Sequence, residues 1–184
     1  MTIELNIFNE QTDGRREQEG AWCPYKKGAQ LLIARLSNQP GFEQVVLSPR
    51  GGGTGTNGQS LTDGLVVDIS KHMNRILEIN AEERWVRVQT GVVKDQLNAA
   101  LKPHGLFFAP ELSTSNRATL GGMINTDASG QGSCLYGKTR DHVLELKTVL
   151  ADGSVVESQA LTEAEFDAAA AEHSRRGEIH RLAN

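Results

Sequence analysis

The chain contains little cysteine: Cys23 and Cys134 are the only two in 184 residues. Two cysteines this far apart in sequence form neither a disulfide framework nor the short ligand spacing of a metal site. We therefore expect a protein of the reducing cytoplasm that holds no structural metal.

Long apolar runs and an excess of positive charge are missing as well. No run approaches the roughly 20 apolar residues that a membrane-spanning helix requires. Residues 1–10 lack the basic region that opens a secretory signal. The net charge of −4 argues against a nucleic-acid partner, because such a partner needs a basic surface. The remaining composition, 38% hydrophobic and 23% charged, is typical of a globular domain large enough to bury a core.

Glycine is what the chain has in quantity, with 19 residues that fall mostly into two clusters. The first cluster, 51–58, follows a short apolar run and the pair Pro49-Arg50. Consecutive glycines have no side chains to pack, but they permit positive φ and close approach to the backbone. Their successive N–H groups can form an anion-binding nest, and Arg50, Thr54 and Thr56 add further donors. We interpret residues 49–58 as a loop that binds a diphosphate.

Two well-known phosphate loops are excluded. Residues 53–58 match G-x-G-x-x-G, but a Rossmann loop opens a helix, and here only residues 59–64 precede the next predicted strand. The glycines are not followed by Lys-Ser or Lys-Thr, which excludes a nucleoside triphosphatase loop. A surface glycine turn without a ligand remains an alternative, because single motifs often give false positives.

A second region, residues 109–137, is rich in glycine and hydroxyl side chains. Its only charged residues are Glu111, Arg117 and Asp127. A long segment of small residues inside a compact domain is typical of a functional loop. Two such regions on one domain indicate two sides of one extended ligand.

Hydrophobic periodicity and turn residues predict the remaining structure. We predict strands at 44–48, 65–68, 76–80, 85–90, 143–150 and 155–158, with a possible edge strand at 21–25. The pairs 76–80/85–90 and 143–150/155–158 are predicted hairpins. Helices are predicted at 29–38, at 92–102, and from a Thr162–Glu165 capping box to about residue 174. We expect Cys134 to be a small buried residue, and Lys138, Arg140 and Asp141 to form a solvated turn.

The segment Pro49–Thr54 resembles the pyrophosphate loop of the PCMH-type FAD-binding domain of the vanillyl-alcohol oxidase superfamily. Residues 118–126 with 128–130 resemble its second flavin-binding segment, and Tyr136-Gly137 and the strand 143–150 follow in the same order. The resemblance is nearest to the bacterial D-lactate, glycolate and D-2-hydroxyglutarate dehydrogenases. Residues 110–115 resemble those large members that also carry iron–sulfur domains.

This resemblance implies an α+β fold of the PCMH type, with a small, mostly parallel β subdomain and a larger antiparallel sheet flanked by helices. It divides the chain into an irregular leader (1–28), a first FAD-binding subdomain (29–90) and a second subdomain with a C-terminal helix (91–184). The substrate domain of the family is expected to be absent, which would make the chain a fragment or one part of a split protein.

The resemblance also implies FAD as the cofactor. Binding is expected to be noncovalent, because relatives that attach flavin through this loop use a histidine there, and residues 49–58 contain none. A small D-2-hydroxyacid would be oxidised by hydride transfer to flavin, but only together with the missing substrate domain, so no catalytic residue is expected here. The alternative is a non-catalytic nucleotide-binding or assembly module. The implied cofactor-binding residues are Pro49, Arg50, Gly51, Gly52, Gly53, Thr54, Gly55, Thr56, Asn57, Gly58, Pro110, Glu111, Ser113, Thr114, Ala118, Thr119, Gly121, Gly122, Asn125, Ser129, Gly130, Tyr136, Gly137 and Val143.

Overall fold

The computed structural model describes residues 40–41 and 44–183. The predicted leader, the possible strand 21–25 and the helix 29–38 lie outside these residues. The strands are β1 (Leu47–Arg50), β2 (Leu65–Asp68), β3 (Ile76–Asn80), β4 (Trp85–Val88), β5 (Glu145–Val149) and β6 (Val155–Gln159). The helices are α1 (Lys94–Leu101), α2 (Leu120–Asn125), α3 (Ser133–Tyr136), α4 (Glu163–Ala171) and α5 (Arg175–Ala183), with 3-10 turns at Lys102–His104 and Thr139–His142.

The strands of the described region form three two-stranded sheets. β1 and β2 are parallel, with Leu47 opposite Leu65 and Arg50 opposite Asp68. β3–β4 and β5–β6 are antiparallel hairpins, as predicted. Parallel and antiparallel pairs together with helices confirm the predicted α+β class.

The connection from β1 to β2 differs from the usual one between parallel neighbours. Such strands need a long crossover, and in most proteins a helix provides it. Here residues 51–64 make the return without a helix. The glycine loop therefore leaves the carboxyl end of a parallel strand, which is where open α/β sheets bind their ligands.

β1 begins later than the sequence predicts. The apolar run suggests a buried strand at 44–48, but Val45 and Val46 are 38% and 56% exposed, and the strand is Leu47–Arg50. The carbonyls of Val46 and Arg50 accept the N–H groups of Leu65 (2.8 Å) and Ile69 (3.0 Å). Since bonding groups alternate along a strand, the neighbouring Pro49 faces away from β2, where its missing N–H costs no ladder bond.

Two hydrophobic clusters form the core. Ile69 and Val149 make one, and Val92, Leu97, Leu101 and Leu120 make the other. Side chains of the β3–β4 hairpin pack against the second cluster. Leu97 is only 1% exposed, and burying such a side chain contributes about 2 kcal/mol. An antiparallel bridge between Val93 and Thr119 then ties the start of α1 to the start of α2.

Only some of the observed helices were predicted from local sequence signals. The predicted capping box is present: the Thr162 hydroxyl accepts the Glu165 N–H (3.3 Å), and the Glu165 carboxylate accepts the Thr162 N–H (2.8 Å). α4 nevertheless ends at Ala171, before the predicted residue 174. α5 was not predicted, and α2 and α3 lie inside the region interpreted as a loop. No helix in the described part of the chain could cross a membrane.

Candidate functional site

The glycine loop presents a row of unused backbone donors. Within the described residues, the N–H groups of 51–56 donate to no acceptor of the protein. The first N–H that is used is that of Asn57, which donates to Oε1 of Gln59 (3.2 Å). Backbone N–H groups without a protein acceptor are available as donors to an anion. The predicted diphosphate loop is thus equipped for an anion.

The loop packs directly on the second predicted segment. A Cβ on Gly51 would overlap the hydroxyl of Thr119, and one on Gly52 would overlap the carbonyl oxygen of Arg117. Only glycine permits so close an approach. The two small-residue regions, which residues 59–108 separate in sequence, are therefore parts of one surface.

Thr119 joins that surface to α2. The residue is 2% exposed and is the N-cap of α2, where its hydroxyl accepts the Gly122 N–H (3.4 Å). The first N–H groups of the helix are already used, because Leu120 donates to Val92 and Gly121 to Thr90, both at 2.8 Å. The donors left for an anion therefore belong to the loop and not to the helix.

The predicted residues of the second segment divide by burial. The exposed ones are Glu111, Ser113, Gly122, Asn125, Ser129, Gly130 and Tyr136. Thr114, Gly137 and Val143 are half-buried, whereas Pro110, Ala118, Thr119 and Gly121 are buried. Buried residues present almost no surface to a ligand, so these four support the site from beneath, and of the four only Thr119 also lines the cleft beside the loop.

Contacts within the second segment hold the exposed residues in place. A Cβ on Gly130 would overlap the carbonyl oxygen of Glu111. The backbone segments around residues 111 and 130 therefore lie against each other. Nδ2 of Asn125 donates to the carbonyl of Gly121 (2.9 Å). The Asn125 side chain is thus held on its own helix, with its amide oxygen still available.

Charge at the loop comes from Arg50 and Asp68, which face each other across β1 and β2. The guanidinium of Arg50 lies beside Gly53, 3.0 Å from where a Cβ would be. Burial raises the pKa of the Asp68 carboxyl, but hydrogen bonds from the Ser70 hydroxyl (2.7 Å) and N–H (2.9 Å) outweigh this. With a smaller contribution from Arg50, they hold that pKa below its usual value. Asp68 is therefore anionic at neutral pH and balances part of the Arg50 charge.

A cleft of about 270 Å³ borders the loop between the two halves of the chain. Its lining includes Gly52, Asn74, Gln96, Arg117 and Thr119. Pockets that enclose a drug-sized ligand measure about 300–1,000 Å³. This cleft can therefore enclose only part of a dinucleotide, and the remainder would lie along the open surface.

One residue of this region differs from the sequence prediction in its burial, and another has contacts in the loop that the sequence did not predict. Cys134 was expected to be buried, but it is exposed on α3, a four-residue helix that has no buried residue. Gln59 was not among the predicted residues, although its carboxamide accepts a loop N–H and its backbone carbonyl accepts the hydroxyl of Ser48 in β1. Nothing in the sequence indicates which way this side chain turns. No cluster of potential metal ligands is found among the described residues.

Known proteins similar to this chain identify its family. Residues 33–159 match the family model described as FAD binding domain. The D-2-hydroxyglutarate dehydrogenase of Pseudomonas putida is 72% identical over 169 residues, which cover 92% of this chain and 17% of that protein. The enzyme of the same name from Escherichia coli is 67% identical over 71% of this chain and 13% of its own length. The D-lactate dehydrogenase of Archaeoglobus fulgidus is 40% identical over 67% of this chain and 27% of its own length.

Solved structures support the fold. Two crystal forms of alkyldihydroxyacetonephosphate synthase superpose with TM-scores of 0.60 and 0.61. They are 22% and 24% identical to this chain and cover 74% and 72% of it, which corresponds to 24% and 26% of the synthase. The chain itself spans about 17% of the length of its Pseudomonas putida relative. Because the family model takes in more than half of the chain, the protein belongs to the FAD binding domain family of the FAD-linked oxidase superfamily.

Proposed function

We propose that this chain is the cofactor-binding part of a dehydrogenase that oxidises a D-2-hydroxyacid of the lactate, glycolate or 2-hydroxyglutarate type. The names of its relatives support the reaction class. The observation that carries the proposal is that the N–H groups of 51–56 have no acceptor in the protein. The glycine loop that holds these groups packs on the segment 117–119.

FAD fits the residues of this surface. A diphosphate needs several donors around its charged oxygens, and the loop has them unspent, with Arg50 alongside. The cleft is too small to enclose the whole molecule. The ribityl chain and flavin would therefore extend over the exposed residues Ser113, Asn125, Ser129 and Gly130, while the half-buried Val143 would meet the adenine.

The residues of the chain bind and orient the cofactor. Bound FAD would supply the ring that accepts a hydride from the substrate α-carbon. The loop N–H groups would fix the diphosphate, and Thr119 and Pro110 would support the surface on which the flavin lies. The loop contains no histidine, so we propose noncovalent attachment.

The groups that bind the hydroxyacid and take its hydroxyl proton are proposed to lie outside this chain, which spans a small fraction of its relatives. We propose the division into 1–28, 29–90 and 91–184, with FAD between the last two parts. We also propose that the enzyme works in the reducing cytoplasm, because the two cysteines of this 184-residue chain provide no disulfide framework. Its net charge of −4 supports the absence of a nucleic-acid partner.

Flavin binding and turnover can be measured on the purified 184-residue chain. We expect FAD to bind in a titration followed by flavin fluorescence. We expect no oxidation of D-2-hydroxyglutarate or D-lactate with added FAD and an artificial electron acceptor. Turnover would show that the chain carries substrate-binding groups of its own. Absence of FAD binding would favour the alternative, a nucleotide-binding or assembly module that kept the fold without the cofactor.

A further inference from the structure

Gln59 follows the last glycine of the loop and binds the loop to the strand from which it leaves. Its backbone carbonyl accepts a hydrogen bond from the hydroxyl of Ser48 (3.1 Å). Ser48 lies in β1 and is 4% exposed. The returning limb of the loop is therefore fastened to a rigid, buried point.

The side chain of Gln59 fills the space inside the same limb. Its Oε1 accepts the N–H of Asn57 (3.2 Å). A Cβ on Gly55 would lie 2.5 Å from that oxygen and 3.3 Å from Nε2. Since the Asn57 N–H needs an acceptor, the amide oxygen is the atom that faces it. The carboxamide of Gln59 thus fixes the backbone conformation of residues 55–59. The glycines of this segment have no side chains that could do the same.

This arrangement leaves the anion-binding donors unspent. Among residues 51–57, only the N–H of Asn57 is used to hold the limb, and the N–H groups of 51–56 take no part. A loop of glycines loses much conformational entropy when it is ordered, and a ligand that orders it loses affinity by that amount. Holding one limb in place beforehand reduces this cost.

We infer that Gln59 is a positioning residue for the diphosphate, acting through the backbone of the loop. The inference rests on the proposed function, since it assumes that the loop binds FAD. The ligand chemistry it serves is the diphosphate that FAD shares with ADP.

The substitution Gln59→Met tests this, because it removes the acceptor and keeps the length of the side chain. Loss of one hydrogen bond of this kind corresponds to about a tenfold change in affinity. We expect the Kd for FAD to rise about tenfold, and the Kd for ADP to rise by the same factor. The melting temperature of the ligand-free chain should stay unchanged, because the side chain is exposed. In hydrogen exchange, the amide of Asn57, which loses its acceptor, should exchange faster, while the amides of β2 should not.

Two other glutamines provide controls. Gln159 is exposed at the end of β6, so Gln159→Met makes the same chemical change far along the chain from the loop and should leave FAD affinity unaltered. Gln89 is 5% exposed, and its Oε1 accepts the N–H of Arg75 (2.9 Å). Gln89→Met should lower the melting temperature and leave FAD affinity unaltered.

The outcomes separate this inference from the proposed function. Wild-type affinity for FAD and ADP in Gln59→Met would overturn the inference and leave the cofactor assignment standing. A loss of affinity accompanied by the same fall in melting temperature as in Gln89→Met would indicate general destabilisation and would also overturn it. Failure of the unsubstituted chain to bind FAD or ADP would overturn both.

Discussion

Gly52 is one of the two glycines, with Gly51, at which the loop touches the second segment. The sequence alone suggests Gly52→Asp as a test of charge at the diphosphate, with the core left intact. The structure shows that any Cβ there overlaps the carbonyl oxygen of Arg117, so charge is not needed to disrupt the site. We predict that Gly52→Ala raises the Kd for FAD about 5- to 150-fold, since overpacking of this kind costs about 1–3 kcal/mol. A flavin fluorescence titration measures it.

Gly105→Ala is the matched control. Gly105 has φ +68° and nothing within 4 Å of a Cβ. The substitution should cost about 1 kcal/mol of stability through its left-handed backbone and leave the Kd for FAD unchanged. Equal Kd values for Gly52→Ala and the unsubstituted chain would contradict the contact between loop and segment.

At this scale the sequence predicts the residue types of the site but not their surroundings. A glycine loop can be recognised in the sequence because clustered glycines indicate a backbone that needs positive φ or close approach. The exposure of Cys134, the burial of Pro110 and the orientation of Gln59 depend on contacts between distant parts of the chain. No local pattern reports such contacts.

Two helices in the described part of the chain begin with a threonine N-cap, one at the site and one away from it. Thr119 caps α2 against the loop, and Thr162 caps α4. Replacing such a cap costs about 1 kcal/mol, which lowers the melting temperature by about 2–4 °C in a chain of this length. We predict that Thr119→Val and Thr162→Val both lower the melting temperature, and that only Thr119→Val weakens FAD binding. Calorimetry and a flavin titration on the pair measure this, and equal FAD affinity in both variants would contradict the assignment of Thr119 to the site.

The elements differ in how far local signals decide them. α4 has a capping box that the sequence shows directly, and the hairpins have alternation and turn residues. α2 and α3 have six and four residues, too few for a helical period to emerge. α5 carries charged residues and Gly177, whose Cβ would overlap the carbonyl of Glu172. That helix is stabilised by packing on α4, a tertiary contact that the local sequence does not reveal.

Acid sensitivity is a property of the whole chain. The pKa of Asp152 is lowered by hydrogen bonds from the Ser154 hydroxyl and N–H, and that of Glu165 by the Thr162 N–H and hydroxyl. With Asp68, these carboxylates have a lower pKa folded than unfolded. Their contribution to stability is complete above the unfolded pKa, about 4, and is lost as the pH falls through the folded pKa. We therefore predict that the melting temperature falls below about pH 4.

Asp152→Asn isolates one of these groups. It should lower the melting temperature at pH 7, and its difference from the unsubstituted chain should shrink as the pH falls below about 4. Calorimetry from pH 7 to pH 3 measures that difference. A difference that is constant across this range would show that the Asp152 charge does not stabilise the fold.

The parallel pairing of β1 and β2 has a consequence for the order of assembly. The hairpins β3–β4 and β5–β6 close over the short turns 81–84 and 150–154, so local contacts suffice to form them. β1 and β2 can pair only after residues 51–64 have folded back over the length of a strand, and closing that longer loop costs more entropy. The loop proposed to bind the diphosphate is then among the last parts to take shape. FAD would meet a chain that is already folded elsewhere, so the cofactor completes the fold and does not template it.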